Sequence, residues 1–94
     1  MSLRFVRRGD GAAHEFRRDR ESPDDELVYR RVDLALFCRR LPDFGWCVVD
    51  STGQVLSRPF DGAGVGALPP VGTWVSRKGD ASYVYDLVLE PDAD

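Results

Sequence analysis

DLALFCRRLP, residues 33–42, is the stretch on which the fold turns. Leu34, Phe37, Cys38 and Leu41 stand at i, i+3, i+4 and i+7, so a helix over residues 33–41 presents one apolar face. Asp33 supplies an N-cap carboxylate for the first-turn amides, and Pro42 prevents the helix from continuing. Arg39 and Arg40 then fall in the last turn, where cations meet the negative carbonyl end. The competing reading is extended, with Val28, Val32, Leu34, Leu36 and Cys38 in a period of two. Arg30 interrupts that alternation, and the helix is therefore expected.

Working outward, the rest of the chain reads as short strands punctuated by turns. Residues 3–7 and 13–18 flank Gly9-Asp10-Gly11, a turn that suits a hairpin. Residues 44–50, 54–60, 73–78 and 82–90 are strand-like, joined in pairs by Asp50-Ser51-Thr52-Gly53 and by Gly79-Asp80. The last strand alternates most clearly, with Tyr83, Tyr85, Leu87 and Leu89 on the face expected to be core. The expected fold is therefore α+β, mainly β: a small, twisted antiparallel sheet or partly open barrel of about six strands, with one short helix covering a face. Phe44, Trp46, Val48 and the four alternating residues should supply the core, closed by Leu34, Phe37 and Leu41. Residues 1–94 are expected to form a single domain, with a mobile charged loop at 19–26, a Gly/Pro-rich loop at 61–72 and a frayed tail at 91–94.

Charge is distributed unevenly along this chain of formal net charge −3. Residues 1–40 hold ten Arg against eight acids, including the doublets Arg7/Arg8, Arg17/Arg18, Arg30/Arg31 and Arg39/Arg40, while residues 41–94 hold three cations against eight acids. A preference for Arg and Asp is also what a GC-rich, bacterial-type genome writes on any solvated face, and isolated surface charges carry little energy. Guanidinium nevertheless binds carboxylate and phosphate bidentately, which ammonium does less well. Arg7, Arg17, Arg30 and Arg31 are the candidate contacts for an acidic protein partner. Side chains alternate along a strand, so only one member of each strand-borne doublet can serve a common face. The Gly/Pro-rich loop adds Leu68, Pro69, Pro70 and Val71 as a semi-rigid apolar contact.

Several chemistries are refused by the residues. Gly62, Gly64 and Ala67 imitate a dinucleotide fingerprint, but Pro69-Pro70 follows where that motif requires a helix. Asp50-Ser51-Thr52-Gly53 lacks the second carboxylate of an aspartic protease. His14 is the sole histidine, and a lone imidazole builds no metal site. Cys38 and Cys47 have neither redox nor zinc spacing and read as free, buried thiols, although a bridge is open to them if their segments pack together. No enzyme activity, cofactor or metal is expected.

The expected function is a non-catalytic binding module that docks another protein through an Arg-lined surface or a sheet edge, the latter also a route to a homodimer. The alternative is single-stranded nucleic-acid binding on a sheet face, since Phe5, Phe16 and Tyr29 adjoin Arg4, Arg17 and Arg30; the acidic net charge opposes it. A further alternative is a small ligand held between helix and sheet near Trp46 and Trp74. The amino terminus has no apolar signal region and no stretch is long enough to span a membrane as a helix, so cytoplasmic residence without membrane partners is expected.

Overall fold

The computed structural model describes residues 2–22, 27–60, 66 and 68–90. The frayed tail expected at 91–94, residues 23–26 of the charged loop and residues 61–65 and 67 of the Gly/Pro-rich loop lie outside the described residues. Eight antiparallel strands follow one another as β1 (Ser2–Arg7), β2 (Ala13–Arg18), β3 (Val28–Arg31), β4 (Leu36–Leu41), β5 (Gly45–Asp50), β6 (Val55–Pro59), β7 (Gly72–Lys78) and β8 (Ala81–Glu90). Each pairs with its sequence neighbours, and β8 returns to β1 with Ser2 opposite Glu90 and Arg7 opposite Tyr85. The result is a closed up-and-down barrel.

This corrects the expected α+β class in two respects: the described residues contain no helix, and the barrel has eight strands and is closed. The strands missing from the expectation are β3 and β4. A helix of nine residues has little stability of its own. As a strand, residues 36–41 form ladders on both sides, from Tyr29 opposite Cys38 to Leu41 opposite Gly45. The extended pattern is broken because a turn over residues 32–35 separates β3 from β4, not because one strand changes face at Arg30. Asp33 caps no helix; it accepts a hydrogen bond from Arg31 Nε at 2.6 Å.

The core follows the alternation of a barrel wall. Leu3, Phe5, Phe16, Tyr29, Cys38, Trp46, Val48, Trp74 and Leu87 form one buried cluster, with Leu36, Tyr85 and Leu89 packed against it. Phe5 sits near its centre, edge-on to Phe16 at 5.2 Å and to Trp74 at 5.1 Å between ring centroids. Phe44, expected in the core, is 45 % exposed; of the residues expected to close it, Leu34 is 53 % exposed while Phe37 and Leu41 stand half-buried. The helix that would have turned them inward does not exist. Phe5, Phe16, Tyr29 and Trp74 fill that space instead.

The two ends of the barrel differ. At one end the two tryptophans hold two described residues of the β6–β7 connection: Trp46 Nε1 donates to Gly66 O and Trp74 Nε1 to Pro70 O, both at 2.9 Å. Arg40 also donates to Gly66 O at 3.1 Å, and Pro69 is fully buried. At the other end the tight turns β1–β2, β3–β4, β5–β6 and β7–β8 surround a mouth.

Candidate functional site

The mouth leads into a cavity of about 70 Å³ lined by Phe5, His14, Phe16, Arg31, Leu36, Val48, Leu56, Ser57, Ser76 and Tyr85. Each wall residue arrives there by strand alternation except at β6. The register there shifts between Val48, opposite Ser57, and Val49, opposite Val55, which leaves Leu56 as an extra residue. Such a bulge re-aims side chains. It is why Leu56 and Ser57, adjacent in sequence, both line the cavity.

The polar side of the cavity centres on Arg31. Its side chain is only 14 % exposed, and its guanidinium is held by Asp33 through Nε and Nη2 at 2.6 and 3.2 Å. Nη2 also bonds His14 Nδ1 at 2.8 Å. Guanidinium can only donate, so Nδ1 accepts and the neutral His14 ring carries its proton on Nε2. Partial burial lowers the His14 pKa, and the positive charges of Arg31 and Arg7 lower it further. The Asp33 carboxyl is lowered by its hydrogen bond to Arg31. Tyr85 stacks obliquely on His14 at 5.7 Å between centroids. Arg7 is itself tied to Asp10 and lies 5.5 Å above the Tyr83 ring.

The four arginines singled out in the sequence therefore divide between two places. Arg7 and Arg31 belong to the mouth. Arg17 and Arg30 stand directly opposite one another on the outer wall of β2 and β3, with Arg17 Nε on Glu15 at 3.2 Å. The alternation expected of the doublets is seen directly in Arg30/Arg31, one member exposed and the other turned into the barrel. The loop contact also divides: Leu68 and Val71 are exposed, Pro69 is buried, and the Pro70 carbonyl is taken by Trp74. Phe5, Phe16 and Tyr29 are buried, so the outer arginines have none of these aromatics beside them for base stacking. Every strand has a neighbour on both sides, and no edge strand remains among the described residues.

Ser57, Ser76 and Leu56 were missed as site residues, because nothing in the local pattern marks the bulge. His14 was weighed as a lone imidazole, and its bond to Arg31 joins positions 17 residues apart. Cys38 lies inside the barrel and Cys47 on the neighbouring strand with the opposite facing, and both thiols are free. Burial raises the pKa of each. No group of three or more His, Cys, Asp or Glu placed to hold a metal occurs among the described residues.

No family model, curated protein or solved structure matches this chain.

Proposed function

We propose that the protein is a non-catalytic binding module that takes a small ligand into the open mouth of its barrel. The observation that carries this reading is the polar arc of Arg31, His14, Ser57, Ser76 and Tyr85 facing a cavity inside an otherwise apolar barrel. An eight-stranded barrel is narrow enough for side chains to fill or for one small ligand to occupy. Filling with apolar groups would avoid the desolvation cost of a half-buried guanidinium and of the buried Ser57 hydroxyl. A few convergent polar groups in an apolar concavity are the ordinary makeup of a ligand site.

Titration of the 15N-labelled protein with a library of small fragments tests the reading. Binders should move the amide resonances of His14, Leu56, Ser57, Ser76 and Tyr85 together. A library without a single binder at this end of the barrel, or one whose hits all map to the outer wall, overturns it.

A second reading is favoured by the direct opposition of Arg17 and Arg30. Like charges facing each other across a strand pair are unfavourable, and an acidic partner would relieve them. On this reading a polyglutamate probe binds the native protein, and Arg17→Ala with Arg30→Ala weakens that binding while the melting temperature barely changes. Equal binding by the double variant removes the reading.

A further inference from the structure

We propose that the mouth of the barrel recognises a small monocarboxylate, the carboxylate on the Arg31 side and a short apolar tail directed into the barrel. The inference rests on the lumen reading above and adds the chemistry of the ligand.

Every polar side chain lining the cavity is able to donate a hydrogen bond. Arg31 can do nothing else, and after its bonds to Asp33 and His14 its Nη1 group has no partner among the described residues. The Nδ1 of His14 is engaged as acceptor, so its free nitrogen is Nε2–H, a donor. Tyr85, which also lines the cavity, has a phenol hydroxyl that can donate. Ser57 and Ser76 add two hydroxyls that rotate to suit. Asp33 is engaged by Arg31 and Asp10 by Arg7, and no carboxylate or carboxamide lines the cavity. A donor-lined site selects an acceptor-rich ligand: with Nε and Nη2 of Arg31 on Asp33, Nη1 is left for one carboxylate oxygen, and the rotatable serine hydroxyls can serve the other.

The remaining lining is Phe5, Phe16, Leu36, Val48 and Leu56. These supply no polar partner for the far end of a ligand, so a second charged or hydroxyl group buried there would be unpaired. A cavity of about 70 Å³ is smaller than the roughly 150 Å³ cavity that holds a benzene ring, so the tail is limited to a short aliphatic chain.

The test compares propanoate and butanoate with their uncharged analogues propanamide and butanamide, read by amide shift changes at His14, Ser57 and Ser76. The carboxylates should bind about tenfold more tightly than the amides, the margin expected of a charge-assisted hydrogen bond. Arg31→Gln should erase that margin. Leu56→Trp, which fills the mouth and leaves Arg31 in place, should abolish binding of all four and guards against a failure of the Arg31 variant to fold. Equal binding of carboxylates and amides overturns the proposed ligand class and leaves the lumen reading standing. Binding of none of the four, with other fragments found at the mouth, overturns the class likewise; no fragment at the mouth overturns both.

Discussion

Arg31 and His14 show how one side chain sets the state of another. The imidazole is held neutral by partial burial and by the guanidinium bonded to its Nδ1. Its folded-state pKa lies below the ordinary value of 6.5, so the unfolded chain binds a proton more readily than the folded one. The stability that neutral His14 contributes is therefore present above about pH 6.5 and is lost as pH falls from there toward the folded-state pKa. Urea unfolding between pH 7.5 and 5 should show the midpoint falling with acidification, and His14→Gln should flatten that slope. A slope unchanged in the variant would assign it to other groups. At lower pH a separate loss follows from Asp10, Asp33 and Asp86, whose pKa values are lowered mainly by hydrogen bonds from Arg7, Arg31 and Arg8. Those carboxylates stabilise the fold above about pH 3.8 and cease to do so as each protonates below it.

At the scale of elements, the hairpin β4–β5 carries the wall that a helix reading would have removed. Its turn covers residues 42–44, and Gly45 leaves it at φ +73°, a conformation that costs an L side chain roughly 1–2 kcal/mol. Gly45 is buried and opposes Leu41, so the turn fixes the register of all six β4–β5 pairs. Gly45→Ala should lower unfolding stability by about that amount, 1–2 kcal/mol. The measurement is the urea midpoint at unchanged m-value; no loss would mean that the turn reorganises without affecting the wall. The same hairpin brings Trp46 to the end opposite the mouth and Val48 to the cavity, which couples the turn to the site.

For the whole molecule, closure of β8 on β1 is the decisive contact, because it joins Ser2 to Glu90 and removes the edges an open sheet would expose. The strand ends that meet there make the connectivity permutable. A chain opened between Thr52 and Gly53, with its original ends joined by a short Gly/Ser linker, should keep the native β circular dichroism and a single cooperative unfolding transition. Loss of cooperative unfolding would show that the β5–β6 turn, not the closure, holds the barrel together. Charge is also organised at this scale: Arg4, Glu15, Arg17 and Glu90 form outer-wall ion pairs, whereas the cation that lines the cavity is Arg31.

Local chemistry in the sequence determined β1, β2, β5, β6, β7 and β8 to within a few residues, and of the face expected to be core Tyr85, Leu87 and Leu89, whereas Tyr83 stays outside the buried cluster beneath the Arg7 guanidinium. Period-two alternation and turn glycines act over a handful of residues, and those are the distances a pattern can carry. Residues 33–41 satisfy both a helical and an extended pattern, and only the ladders to β3 and β5 choose between them. The meeting of His14, Arg31 and Tyr85, the turning of Leu56 into the lumen and the opposite facing of Cys38 and Cys47 are equally nonlocal. Each depends on register between strands far apart in the chain, and a register slip of one residue would send every one of those side chains to the other face of the wall.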